Sequence, residues 1–337
     1  MRREPISTLE RMRRETSGGL GKRFVFGRED VALLQLVDSL RERGYRFVTP
    51  TPASHARVVA RPGRDRACSL TDIFGWSLPF ARDTLEPELL GLLELACMVE
   101  PVSRGLLRSH LRASSLRDAL YLHSAYPTDG RDAVFFGPDS YRFAALIEAE
   151  LAAEPVPEHG HIVDIGTGAG VGAIVAAKLS GLGAATGTDV NPQALRLAAI
   201  NARAADVALH GVQSDDLCGV GRPIDLALAN PPYIIDDDKR RYRDGGGMHG
   251  AEVALGMAQA AIARLAPGGR LILYTGSAIV AGEDALRSAL IRAAETGECT
   301  LRYRELDPDV FGEELERPAY RDVDRIALVA ATVSKAG

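Results

Sequence analysis

No stretch of the 337-residue chain approaches the ~18 consecutive apolar residues that a membrane-spanning helix needs. The longest candidate, Leu89 to Val99, is broken by Glu94. The opening residues, MRREPISTLERMRRE, carry charge but no apolar core, so no secretory signal and a cytoplasmic location are expected. Cysteine is scarce. Cys68, Cys97, Cys218 and Cys299 lie far apart with no C-x-x-C pair, which excludes a disulfide framework or a zinc ribbon and fits reduced thiols with no metal site. There is no internal repeat, no low-complexity segment, and no compact Lys/Arg cluster interleaved with aromatics.

What remains is an ordinary globular composition, 46% apolar and 25% charged. The length suggests two domains, because a single core rarely grows past about 250–300 residues. The net charge of −5 is unevenly spread. Residues 1–66 carry a net of +7 and residues 67–337 a net of −12. A basic leading segment can meet nucleic acid or an acidic partner; it can equally be a solvated arginine-rich surface.

Residues 1–23 read as a polar lead ended by Gly18, Gly19 and Gly21. Val31, Leu34, Val37 and Leu40 predict an amphipathic helix over 29–43. Residues 49–66, with Pro50, Pro52, Pro62 and many arginines, read as loop or weak strand. Over 86–117, Leu89, Leu92, Leu93, Ala96 and Cys97 form one helical face, and Leu106, Leu107 and Leu111 start a second short helix. ALYLHSAY, a turn at Pro127-Thr128-Asp129-Gly130 and AVFF then suggest a hairpin. Helix, turn, helix and hairpin is the order of a winged-helix unit. The expected division is therefore a smaller N-terminal α+β substrate-recognition domain, residues 1–130, and a second domain, residues 131–337.

The second half alternates apolar strands with alanine-rich helices. Strands are expected at 161–166, 184–190, 207–214, 224–230 and 270–276, and helices at 170–180, 192–205, 251–265 and 283–295. Two late strands, 299–306 and 325–333, follow as an antiparallel edge. This predicts a Rossmann-like, doubly wound α/β sheet of seven strands.

The sharpest local signal is Asp164-Ile165-Gly166-Thr167-Gly168-Ala169-Gly170, where strand becomes helix. Glycines there allow a tight turn and close approach of a ligand to the backbone, beside the free N–H groups of a helix start. Asp189 ends the second strand 19 residues after Gly170, about where an acidic side chain meets ribose hydroxyls, with Val190 beside it. The third strand ends in Asp215-Asp216, where a carboxylate can accept from an adenine amino group, Asp215 being the better placed. The pattern departs from the G-x-G-x-x-G dinucleotide fingerprint, and Asp164 would set negative charge near a pyrophosphate. A cationic, phosphate-free adenosyl ligand suits it better.

The fourth strand ends in Asn230-Pro231-Pro232-Tyr233. With D-I-G-T-G-A-G, D-V-N-P and Q-S-D preceding it in order, the chain resembles the class I S-adenosylmethionine-dependent methyltransferases over roughly residues 133–333. Within them it is similar to the HemK-like, methyltransferase-small-domain group that modifies planar amide or amino nitrogens. The resemblance implies S-adenosyl-L-methionine as cofactor and S-adenosyl-L-homocysteine as product. It implies a cofactor site at Asp164, Gly166, Thr167, Gly168, Gly170, Asp189, Val190, Asp215, Asp216 and Asn230.

The chemistry explains the fourth motif. An amide or aryl-amine nitrogen is a poor nucleophile, because its lone pair is delocalised. Asn230 and the Pro231 carbonyl can accept its two N–H groups and hold it facing the methyl donor. The prolines fix the backbone, and Tyr233 can stack on the flat acceptor. Asn230, Pro231 and Tyr233 are the expected catalytic residues; Pro232, Tyr233, Phe136 and Tyr141 are expected at the substrate. In the family, the segment before the first strand often covers the pocket, here Phe136-Gly137-Pro138-Asp139-Ser140-Tyr141. This chain has Gly137-Pro138 where relatives commonly carry an arginine-proline pair. Residues 236–250, charged and glycine-rich, read either as a lid or as a solvated loop, with His249 a candidate proton acceptor; residues 309–314 read as a hairpin loop or a pocket border.

Three acceptors fit such a site: a glutamine side chain of a protein such as a release factor, an rRNA or tRNA base amine, and a small-molecule amine. The first is favoured by N-P-P-Y. A non-enzymatic scaffold with the same fold is the remaining alternative, opposed by the intact Asp164, Gly166, Gly168, Asp189 and Asn230.

Overall fold

The structure, a computed structural model, describes residues 24–215 and 217–337; the expected polar lead over 1–23 and Asp216 lie outside the described residues. The N-terminal part begins with α1 (Arg28–Glu42), which buries Leu33, Leu34, Leu36, Val37 and Leu40. Then comes α2 (Pro52–Val59), in the stretch expected to be loop. Pro52 sits in its first turn, where its missing N–H costs nothing, and the Thr51 hydroxyl accepts from Ser54 N at 3.2 Å as cap. The proline read as a breaker is therefore a starter. Helices α3 (Leu70–Phe74) and α4 (Pro87–Leu95) follow.

β1 (Val99–Pro101) pairs with β2 (Leu107–Ser109), and β3 (Leu111–Leu116) with β4 (Ala119–Ser124), all antiparallel. Strands β2 and β3 stand where the second short helix is expected, and β4 falls in the ALYLHSAY stretch expected as a strand. The hairpin thus turns between Leu116 and Ala119 rather than at Pro127–Gly130, and 133–136 runs extended without forming a strand. The cause is that both faces of the hairpin are buried, one of them carrying polar side chains. Arg112, Ser114 and His123 are all buried, which erases the alternation that marks a strand in sequence.

The second half is a doubly wound sheet. Its elements are α5 (Pro138–Ala153), β5 (Ile162–Ile165), α6 (Val171–Leu179), β6 (Ala184–Asp189), α7 (Pro192–Ala204), β7 (Ala208–Gln213) and β8 (Ile224–Ala229). They continue with α8 (Glu252–Ile262), β9 (Leu265–Val280), the two-residue β10 (Glu283–Asp284), α9 (Ala285–Thr296), β11 (Cys299–Asp307) and β12 (Arg325–Lys335). The sheet order is β7-β6-β5-β8-β9-β12-β11, with β10 attached to β9. The first five strands are parallel and β12 is antiparallel to both neighbours. The two late strands form the expected antiparallel edge pair: β12 inserts beside β9, and β11 takes the outside.

The order reverses between β5 and β8, where ligands sit in open α/β sheets, at the carboxyl ends of the strands. One apolar cluster covers the α5–α6–α7 face and runs on without a break into the N-terminal helices; a second covers the α8–α9 face. The N-terminal part is seated on α7 by polar ties. The fully buried Asn201 carboxamide accepts from Leu122 N at 2.8 Å and donates to Leu122 O and Ala169 O at 2.9 Å. Arg196 pairs with Asp30 at 2.6 Å. Among the described residues no helix is long and apolar enough to cross a membrane.

Candidate cofactor and acceptor site

A cavity of about 460 Å³ opens at the switch point. The residues expected from the motifs meet there. Asp164, Gly166, Thr167 and Gly168 at the end of β5 and beyond it, Asp189 and Val190 at the end of β6, Asp215 after β7, and Asn230, Pro231 and Pro232 after β8 all line it. Four strand ends converge on one hollow because parallel strands present their carboxyl ends on one side.

Each carboxylate has a distinct job. Asp164 is 2% exposed; its Oδ2 accepts from the Thr167 hydroxyl at 2.7 Å and from Ala173 N at 2.9 Å, so it ties the glycine turn to the start of α6. Burial pushes its carboxyl up to about 6, against those two hydrogen bonds. Asp189 accepts from Gly168 N at 2.9 Å through Oδ2 and from Asn191 N at 2.9 Å through Oδ1. It cross-links two motifs and still offers lone pairs to the cavity. Burial raises its carboxyl as well.

Gly170 does not line the cavity. Its φ of 87° caps α6, and a Cβ there would meet Ala198 of α7 at 3.2 Å, so its role is turn and close packing.

The Asn230 side chain is half-buried and has no hydrogen-bond partner among the described residues, which leaves its amide oxygen open to an acceptor. The backbone after it is clamped. Tyr233 is buried and absent from the cavity wall, contrary to the stacking role expected of it. Its hydroxyl donates to Asp139 Oδ2 at 2.8 Å, and its ring lies edge-on to Phe311, 5.6 Å between centroids. A Cβ at Gly276 of β9 would fall 2.2 Å from that ring, so only glycine admits the tyrosine. Burial and the neighbouring Asp139 charge push the Tyr233 phenol well above its usual range.

Phe136 and Tyr141 are likewise displaced from this cavity. Phe136 is buried against Tyr121 and His123, and the Tyr141 hydroxyl accepts from Thr49 N at 3.0 Å. Phe135 takes the place expected of Phe136, because neighbours on an extended segment point opposite ways. Tyr242 stacks on Phe135, ring planes 5° apart, and its hydroxyl donates to Thr128 O at 2.6 Å.

Tyr242, Arg241 and Asp244 belong to the stretch read as a lid or solvated loop. It is folded over the cavity by ion pairs: Asp236 with Arg240 and Arg243, Arg243 with Glu314, and Lys239 with Asp244 at 3.1 Å. Their only sequence signal is one tyrosine within a charged run. His249 does not line the cavity; its Nε2 lies 3.2 Å from Asp322 Oδ1. Residues 309–314 border Tyr233 through Phe311 without reaching the hollow.

The lining suits a cationic ligand. It carries Asp164, Asp189, Asp215 and Asp244 against one guanidinium, Arg241, which pairs with Asp132 at 3.2 Å. A pyrophosphate would find little positive charge there. Ile165, Val190, Phe143 and Met257 add apolar wall. Among the described residues no cluster of His, Cys, Asp and Glu forms a metal site.

The fold and site together are a Rossmann-like α/β sheet with a net-acidic cavity at its switch point and an open carboxamide on the cavity wall. Residues 144–298 match the family described as "Methyltransferase small domain". The chain is 38% identical over 148 residues to a release factor glutamine methyltransferase of Cereibacter sphaeroides, covering 40% of this chain and 51% of that protein. It is 31% identical over 147 residues to the one of Koribacter versatilis, covering 40% and 52%. The chain spans about half the length of these relatives. A 16S rRNA N2 G1207 methyltransferase of T. thermophilus, solved with AdoMet and guanosine, superposes with a TM-score of 0.44 at 17% identity, over 77% of this chain and 64% of that one.

Proposed function

We propose that the protein is an S-adenosylmethionine-dependent N-methyltransferase that modifies the side-chain amide of glutamine in a protein. The observation that carries this reading is the unpartnered Asn230 carboxamide on the wall of the same cavity as Asp189 and the glycine turn. Asp189 would hold the ribose hydroxyls, Asp215 and Val190 the base, and the glycine turn the amino-acid end of the cofactor. When bound, S-adenosylmethionine supplies the electrophilic methyl group. Asn230 Oδ1 and the Pro231 carbonyl accept the two N–H groups of the glutamine amide and aim its nitrogen at that group. The methylated nitrogen is strongly acidic and sheds a proton without a dedicated base, consistent with a lining free of histidine among the described residues.

The two relatives named as glutamine methyltransferases support the choice of acceptor. We assign residues 1–130 to acceptor recognition and 131–337 to methyl transfer. We place the enzyme in the cytoplasm; four free cysteines are consistent with this. The test is transfer from methyl-labelled S-adenosylmethionine into a cell lysate separated into protein, RNA and metabolites. Label on a glutamine of a protein is expected. Label confined to RNA or to a small amine overturns the acceptor, and no label together with no cofactor binding in calorimetry overturns the enzyme.

A further inference from the structure

A second cavity, of about 210 Å³, lies against the first and shares the Phe135–Tyr242 wall with it. It is enclosed by the N-terminal part on one side and the 240–243 segment on the other. Its lining includes Thr49, His55, Arg112 and His123, all buried.

Arg112 is the unusual member. It is 4% exposed, and among the described residues no carboxylate pairs with it. Its Nε donates to Gly75 O at 2.8 Å, and the guanidinium carbon lies 5.5 Å from the Phe47 ring centroid. Its Nη2 is buried with no hydrogen-bond partner among the described residues. Burial lowers the guanidinium to about 10, so it still carries its charge at neutral pH. A buried cation with an idle donor and no counter-charge is costly, and an anion in the cavity would relieve that cost.

Two imidazoles flank it. His55 lies against the Trp76 and Tyr126 rings, tilted 42° and 41° to them, and among the described residues its buried Nδ1 has no hydrogen-bond partner. Burial and the Arg112 and Arg64 charges lower it to about 4, so at neutral pH it is uncharged and can present a donor or an acceptor. His123 is fixed from behind by Ser114 Oγ at 2.7 Å, which itself meets Thr49 Oγ1. Arg240 and Arg243 also line the cavity, but each already has a carboxylate partner, Asp236 for Arg240 and Glu314 for Arg243. Asp129 stands exposed in the lining. Only one positive charge is therefore uncompensated. With flat walls from Tyr126 and Phe136, the space suits a planar monoanion better than a phosphate.

Resting on the proposed methyl transfer, we infer that this cavity is a recognition pocket for a carboxylate carried by the methyl acceptor, with Arg112 as its anchoring cation and His55 as its second partner. Acceptors with an acid group near the reacting amide are then selected over neutral ones.

The test uses the full-length protein without cofactor. Sodium benzoate, its neutral isostere benzamide and inorganic phosphate are titrated separately, followed by calorimetry and the imidazole resonances of His55 and His123. Benzoate should move both imidazoles and bind more tightly than benzamide by roughly tenfold or more, as expected for a charge-assisted bond to a guanidinium. Arg112→Met should abolish that preference while S-adenosylmethionine affinity persists. If Arg112→Met does not fold, the benzoate–benzamide contrast on the unaltered protein still decides. Equal binding of the two, tighter phosphate binding, or shifts confined to the Asp189 cavity overturns the proposal. Displacement of benzoate by an amidated glutamate-containing peptide assigns the carboxylate to a protein side chain, and displacement only by free acids assigns it to a small molecule; either supports the pocket. Loss of cofactor binding by the unaltered protein would instead strike the methyl-transfer reading and leave the benzoate result standing.

Discussion

The Tyr233 hydroxyl donates to Asp139 Oδ2, while Tyr274 donates to Oδ1 of the same carboxylate at 2.9 Å. One buried aspartate at the start of α5 thus fixes the turn after β8 and the middle of β9 together. On the proposed reading, Tyr233 positions the turn that carries Asn230 and does not itself line the cavity.

Tyr233→Phe should lower stability by about 0.5–1.5 kcal/mol, the net worth of one hydrogen bond. Asp139→Ala should cost more, roughly 2–4 kcal/mol, because two buried phenols lose their acceptor. Denaturant unfolding reads both. Turnover with Tyr233→Phe should fall by several-fold with cofactor affinity unchanged; full turnover would show that the turn needs no such clamp.

Asp189→Ala should weaken S-adenosylmethionine binding by roughly 1–3 kcal/mol, the scale of a lost charge-assisted hydrogen bond. Because Asp189 also holds Gly168 N, Asp189→Asn should lose less. Calorimetry on folded variants decides, and unchanged affinity in Asp189→Ala removes it from the cofactor site.

Asn230→Ala should keep cofactor affinity within a few-fold yet reduce turnover by on the order of 10²-fold, since its contact strengthens mainly in the transition state. A collapse of cofactor affinity instead would make Asn230 structural.

Asp164 predicts a pH signature. Its carboxyl is raised in the fold to about 6, above its value in the unfolded chain, so the native state holds the extra proton. Its contribution to stability is therefore complete at low pH and is lost as pH rises from about 4 through about 6. Asp164→Asn, which cannot ionise, should flatten that part of the stability profile measured by urea unfolding. An unchanged slope would mean that Asp164 is charged in the fold throughout.

The cofactor end was legible because its residues are backbone devices. Glycines at a strand–helix turn and acids at strand ends keep their meaning without tertiary context. The acceptor side was less so. Tyr233, Phe136 and Tyr141 are aromatics whose direction depends on packing partners far away in sequence: Asp139, His123 and Thr49. The N-terminal strands were hidden for a related reason, since Arg112, Ser114 and His123 are polar groups placed inward. The ALYLHSAY stretch still reads as a strand, but Arg112 and Ser114 hide its partner, which reads as a helix start instead.

Asn201 bears on how such a chain can be remodelled. Its single carboxamide is shared by the backbone of Leu122 in the hairpin and of Ala169 in the glycine turn. A recombination breakpoint between residues 130 and 138 would separate that side chain from one set of partners and strip the apolar face under them. Grafting a foreign N-terminal segment onto the sheet half therefore requires carrying an Asn201-compatible hairpin along. The first 130 residues would diversify by point substitution around their cavity more readily than by wholesale exchange.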